Sequence, residues 1–227
     1  TSRARAGRRE GIMRLRGALV LGVLGLPLAA SAQTIFYSNN FESALGTGWG
    51  TAAQITQHTN FSKYVGRYSG NQGVLLTVAK PSIPAPPPGH WVEYRLTFDF
   101  YAIDSWDGDD PNFGPDYFYV TVNSNTVFAQ TFANQHEYQS FAPPTVGGID
   151  LGYGAAFDAI YRDISVAFEP DAASTLSVKW FGVGLQGLSD ESWGIDNVRL
   201  SYAVVPSPGV GTALGLAGLA ALRRRRR

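Results

Sequence analysis

Between Gln33 and Tyr202, apolar and polar residues alternate with a period of two rather than 3.6. Trp91 to Phe100 is the clearest stretch: Val92, Tyr94, Leu96, Phe98 and Phe100 share one face, with Glu93, Arg95, Thr97 and Asp99 opposite. Tyr117 to Val122, Ile164 to Phe168 and Leu176 to Trp180 repeat the pattern, and Gly73 to Ala79 reads as a more continuously apolar strand. Asn123-Ser124-Asn125 predicts a hairpin turn between Tyr117–Val122 and the run Thr126 to Phe132. The Pro-rich run Pro81 to Gly89 cannot pair as a central strand, so it predicts an exposed extended connector inside one domain. About ten strands with no helical stretch between them predict an all-β fold, an antiparallel sandwich.

Composition agrees and removes several function classes. The chain has 227 residues, 26 Gly, 13 Pro, no Cys and a charged fraction of 16%, against about 25% for globular domains. Its 44% hydrophobic content can bury a core. Without Cys there is no disulfide framework, thiolate zinc site or cysteine nucleophile.

The formal charge of zero is a sum of unlike parts. Residues 1–32 carry six Arg against Glu10, and Arg223 to Arg227 add five more. Seven basic and seventeen acidic side chains lie between, a formal −10 that repels nucleic acid. At the N-terminal end, Met13, Arg14 and Arg16 precede the apolar run Gly17 to Leu28 and the small-residue close Ala30-Ser31-Ala32. A basic start, a short apolar run and an A-x-A site are the parts of a secretory signal peptide. We therefore expect translation to start at Met13, cleavage at Ala30 and Ala32, and a mature chain from Gln33. At the other end, Val205-Pro206-Ser207-Pro208 precedes the uncharged small and apolar run Gly209 to Leu222 and the Arg cluster. A helix there would rise roughly 25 Å at ~1.5 Å per residue, enough to span a ~30 Å bilayer core if the arginines snorkel.

This tail closely resembles the PEP-CTERM sorting signal of Gram-negative bacteria. Pro206, Ser207 and Pro208 stand where the family has Pro-Glu-Pro, and Arg223, Arg224 and Arg225 open the Arg run. The resemblance implies export, an inner-membrane anchor, an exosortase-type sorting protease as partner, and delivery to the cell surface or extracellular matrix. A plain C-terminal anchor is the alternative. The expected organisation is residues 1–32 upstream and signal, 33–203 ectodomain, 204–227 sorting tail.

The ectodomain carries a second resemblance. Asn40-Phe41-Glu42 with Gly48-Trp49, then Tyr68-Ser69-Gly70 before Val74 to Val78, resemble the opening of jelly-roll carbohydrate-binding modules and MAM-type domains. Trp193-Gly194-Ile195-Asp196-Asn197-Val198-Arg199-Leu200 resembles their last strand. More narrowly, Asp104 to Gly108, Gly114 to Phe118 and Asp190 to Gly194 resemble a recurring ectodomain of PEP-CTERM proteins. The first resemblance implies a structural calcium ion between the first-strand Glu and last-strand Asp, here Glu42 and Asp196. Parity supports it, since Asp196 shares a face with Val198, Leu200 and Tyr202, and an inward carboxylate is costly unless neutralised or coordinated. Hydrogen bonds from backbone amides or an Arg would serve equally.

Asp104, Asp107, Asp109, Asp110, Asn112 and Asp116 crowd one loop around Trp106 and Phe113. Asp104, Asp107 and Asp109 are candidate calcium ligands, although the spacing is not that of an EF-hand. An exposed Trp106 beside Asp107 and Asp116 would stack on a sugar ring while the acids accept its hydroxyl protons. A solvated acidic loop with a packed Trp is the alternative.

Catalytic patterns are absent from the sequence: Asp190-Glu191 are neighbours in a turn, His58, His90 and His136 are isolated, and no G-x-S-x-G elbow occurs. The sequence reading is thus an exported, non-catalytic jelly-roll protein binding extracellular polysaccharide. The alternatives are a structural or adhesive matrix protein and, more distantly, a glycoside hydrolase.

Overall fold

The computed structural model describes residues 32–134 and 138–207. The signal segment with Ala30, Pro208, the apolar run and Arg223 to Arg225 lie outside the described residues; Ala32 is exposed just ahead of the first strand. Among the described residues every regular element is a strand, and none is a helix able to cross a membrane.

The strands are β1 (Thr34–Asn39), β2 (Ile55–His58), β3 (Phe61–Tyr68), β4 (Gly73–Ala79), β5 (His90–Asp104), β6 (Tyr117–Val122), β7 (Asn125–Thr131), β8 (Val146–Ile149), β9 (Asp158–Phe168), β10 (Thr175–Val183) and β11 (Glu191–Pro206). They form two antiparallel sheets. The larger runs β2-β3-β11-β5-β9-β8, with β1 also against β11; the smaller runs β4-β10-β6-β7. From β3 to β6 and β9 to β11 the chain alternates between sheets, so that β11 enters between β3 and β5 while β10 enters between β4 and β6. That interlocked order is a jelly roll.

Alternation places the core as the sequence predicts. Tyr94, Leu96, Phe98 and Phe100 of β5, Ile164, Val166 and Phe168 of β9, and Leu176, Val178 and Trp180 of β10 all join one buried cluster between the sheets. Aromatic rings interlock at its centre, with Phe100 4.2 Å from Phe118 and 4.5 Å from Phe132. The β6–β7 hairpin turns at Asn123 and Ser124, both at positive φ (48° and 69°), the two-residue geometry that matches strand twist. Pro81 to Gly89 is irregular, as expected. On β4 alternation is stronger than anticipated: Val74 and Leu76 are buried, but Leu75 is exposed because β4 is an edge strand with one face in solvent.

Two expectations need correction. The sheet does not end at residue 203: Val204, Val205 and Pro206 pair with Val92, Trp91 and His90, and Ser207 N–H donates to the Gly89 carbonyl. The first residues assigned to the tail therefore belong to β11. Asp196 also does not share a face with Val198 and Leu200. The β5–β11 register shifts between Asp196 and Arg199, at Asn197 with φ 51°, so a bulge reverses the alternation. A second bulge lies on β9 at Asp163, φ 52°. Asp99, between them on β5, accepts Asp163 N–H on Oδ1 (2.7 Å) and Asn197 Nδ2 on Oδ2 (2.9 Å). One buried carboxylate thus holds both bulges.

Candidate functional site

The β5–β6 loop is built around a buried tryptophan. Asp104 at φ 67° turns the chain at the end of β5, and Trp106 is driven inward, fully buried. Its ring meets Phe100 edge-on at 5.4 Å, and its Nε1–H donates to the Ser192 carbonyl (2.8 Å). A sugar cannot stack on it, so the expected binding set of Trp106, Asp107 and Asp116 is overturned in favour of a packed Trp; Asp116 is fully buried too.

The acidic residues of this loop separate. Asp104 turns to Arg67, whose Nη2 donates to its Oδ2 at 2.7 Å, while Asp109 is exposed. Asp104, Asp107 and Asp109 therefore do not converge on one ion. Glu42 and Asp196 also turn to different partners. Exposed Glu42 accepts Lys63 N–H (3.1 Å), whereas buried Asp196 accepts Ser62 Oγ–H (2.7 Å) and Tyr101 O–H (3.0 Å) on Oδ2 and Asn197 N–H (2.6 Å) on Oδ1. Burial raises the Asp196 pKa, and these hydrogen bonds oppose it. The hydrogen-bonded alternative accounts for this carboxylate.

What the fold does assemble is Asp107, Asp116 and Glu191, with one carboxylate oxygen of each within 4.8 Å of the others. Asp116 Oδ2 accepts Asp107 N–H (2.5 Å), and Glu191 Oε2 accepts Gln186 N–H (2.6 Å). The second oxygens, Asp116 Oδ1 and Glu191 Oε1, are buried without a hydrogen-bond partner. The chain closes tightly beside them: a Cβ on Gly184, at φ 97°, would lie 2.2 Å from the Pro115 carbonyl oxygen, so only glycine fits. Sequence reading missed Glu191 because its partners lie 75 and 84 positions away.

Burial pushes Glu191 from 4.5 up to about 8 and Asp116 from 3.8 up to about 6, with the neighbouring carboxylates adding to the shift. Burial also raises Asp104 and Asp158. Above the ordinary carboxyl range the unfolded chain then binds fewer protons than the native one, so stability falls as pH rises. With chelator present, the melting midpoint is expected to fall from about pH 5 to about pH 9, with Glu191 ionising near pH 8. Calorimetry across that range checks it; a midpoint that rises throughout is the contrary result.

A second feature lies on the outer face of the smaller sheet. Phe118 and Val120 of β6 and Trp180 of β10 point inward, which leaves Tyr117, Tyr119 and Phe181 outward. Tyr119 and Phe181 are cross-strand partners with rings stacked at 5.2 Å and 11°, and Tyr117 continues the row 5.6 Å from Tyr119. Lys179 Nζ sits 4.9 Å over the Phe181 ring. Exposed Leu75 and Val183 flank the row. The three rings are half-buried on the outward side of the sheet. The same period-two alternation that located the core carried the signal for this row.

The bulges shape a polar cleft of about 630 Å³ on the outer face of the larger sheet, lined by Ser38, Asn39, Asn40, Asp99, Arg162, Asp163, Asn197 and Arg199. Its charges are largely committed: Arg199 Nη2 donates to Asp163 Oδ1 (2.5 Å), and Arg162 lies 3.8 Å from Asp99.

No family model matches the chain, and no curated protein matches it in sequence. Similar solved structures include a carbohydrate-binding module of specific mannan recognition, TmCBM27, at 11% identity and a TM-score of 0.37, over 76% of this chain and 99% of that one. Another is the Agl-KA catalytic domain, at 16% identity and a TM-score of 0.34, over 80% of this chain and 30% of that one. The jelly-roll assignment rests on the strand order described above.

Proposed function

We propose that this chain is an exported, non-catalytic surface or matrix protein that binds extracellular polysaccharide on the outer face of its smaller sheet. The observation that carries the reading is the row Tyr117–Tyr119–Phe181, three half-buried rings fixed on paired strands on the outward side of the sheet. Sugar rings present flat C–H faces that pack on such rings, and a rigid sheet holds the platform without an ordering cost on binding. The extended row suits a polymer better than a small ligand, which needs a concave pocket.

A binding role fits the carboxylates as well. Glycoside hydrolysis requires an acid and a nucleophile or base flanking an accessible bond. Asp116 and Glu191 come together fully buried, out of reach of a polymer. Export, an inner-membrane anchor and processing by an exosortase-type protease are supported by the basic start, apolar run and A-x-A site, and by the Pro206-Ser207-Pro208, apolar and Arg sequence of the tail.

A glycan array carrying bacterial exopolysaccharides and mannans tests the reading. Wild type binds at least one polysaccharide, and Tyr119→Ala and Phe181→Ala each weaken it about tenfold, the loss of about 1.4 kcal/mol of ring contact. No binding by wild type, or undiminished binding by both variants, would overturn it.

A further inference from the structure

Two parts of the chain deliver carboxylates to the same point: the β5–β6 loop supplies Asp107 near its start and Asp116 at its end, and the distant start of β11 supplies Glu191. Two of these side chains are fully buried. Each is already anchored through one oxygen on a backbone N–H, and each keeps a second, buried oxygen with no donor. Asp116 and Glu191 approach closely enough to share a proton, but once both are ionised neither can donate to the other. Trp193 Nε1 nearby is a buried donor without a partner, but the acceptors outnumber it. Every buried side-chain oxygen without a partner among the described residues belongs to this end of the sandwich: Asp116, Glu191, Gln186, Asp104 and Asn134. Asn134 N–H donates to the Trp106 carbonyl, and Gln186 N–H donates to Glu191, so both flank the cluster.

A surplus of buried acceptors and negative charge is what a cation relieves. The donor set is all oxygen, with neither His nor Cys among the clustered residues, which suits a hard ion held by carboxylates and carbonyls rather than zinc. We propose that Asp107, Asp116 and Glu191 bind a calcium ion that ties the β5–β6 loop to the β10–β11 turn. Asp116 immediately precedes Tyr117, and Gly184 immediately follows Val183, the cross-strand partner of Tyr117. The ion therefore pins the strand ends that carry the aromatic row, although it stands on the cluster alone and not on the sugar-binding reading.

The test uses chelator-treated protein titrated with calcium and, separately, with terbium. Calcium at about a hundredfold over its dissociation constant is expected to raise the melting midpoint by about 5–10 °C. Terbium bound at the cluster is expected to luminesce on tryptophan excitation, because Trp106 and Trp193 lie one and two residues from Asp107 and Glu191. Glu191→Gln and Asp116→Asn abolish both signals, and Asp107→Asn, at the less buried member, weakens them in a variant expected to keep its fold. Glu42→Gln leaves both intact. Absence of both signals in wild type overturns the proposal in favour of a proton shared by Asp116 and Glu191. A shift that survives Glu191→Gln and Asp116→Asn overturns it by placing the ion elsewhere.

Discussion

Replacing Trp106 with alanine is expected to cost about 3–5 kcal/mol of folding stability, a large part of the about 5–15 kcal/mol that holds a typical domain. Three losses combine. The indole is fully buried and packs edge-on against Phe100 at 5.4 Å and Phe132 at 6.2 Å, so truncation opens a cavity among rings that cannot collapse into it. Its Nε1–H is the donor to the Ser192 carbonyl on β11, and that acceptor is left in a dry interior. The ring also fixes the backbone from which Asp107 projects. Urea unfolding of Trp106→Ala and Trp106→Phe separates the terms. Phenylalanine keeps most of the volume and loses the donor, so it should cost about 1–3 kcal/mol. An alanine variant within about 1 kcal/mol of wild type would contradict the packing described here.

Arg67→Met is expected to cost a comparable amount, about 3–5 kcal/mol, by removing one side of a buried ion pair. Arg67 Nη2 donates to Asp104 Oδ2 and to the Leu188 carbonyl, Nε donates to Ser192 Oγ, and the guanidinium lies 4.3 Å over the Tyr153 ring. Asp104 is 2% exposed, and its backbone N–H is held by Asp158 Oδ1, itself on a buried side chain. Without Arg67, the buried carboxylates of Asp104 and Asp158 lose the positive charge that favours their ionised forms. The cost then comes from stranded negative charge more than from lost contacts, so a second change, Asp104→Asn, should recover at least about 1 kcal/mol. A double-mutant cycle by denaturant unfolding measures this directly. Additive losses would show that Arg67 acts by packing its stem instead.

Much of the fold is legible because most strands bury one face only. A half-buried strand writes its inward residues at every second position, and β5, β6, β9 and β10 all do so. The hairpin at Asn123-Ser124 is legible because its geometry needs residues that tolerate positive φ. Asp196 shows where this ends. Parity counting assumes an uninterrupted strand, and the bulge at Asn197 is held by Asp99, 98 positions away on another strand. No local pattern records that bond, yet it reverses the face of every residue before it. Trp106 is misread for a related reason. Five carboxylates around an aromatic look like an exposed loop, but the turn at Asp104 and the carbonyl of Ser192 draw the indole inside. Glu191 could not be joined to Asp107 and Asp116 without the topology that brings β11 beside β5. The outward Tyr117, Tyr119 and Phe181 were within reach of the alternation itself, once each inward neighbour is assigned.

The position of β11 has a consequence for the order of events in making this molecule. The last described strand in chain order, β11, is the one that β1, β3 and β5 all need as a partner. Until residues 191–206 are free, the larger sheet has a gap down its middle, and the facing edges of β3 and β5 stay unpaired. Closing that gap joins residues from 87 positions apart (Glu191 and Asp104) to 168 (Thr34 and Tyr202), so the pairing is slow and strongly non-local. The domain therefore matures in one late step, and a chain held back at its C-terminal end is a chain kept unfolded.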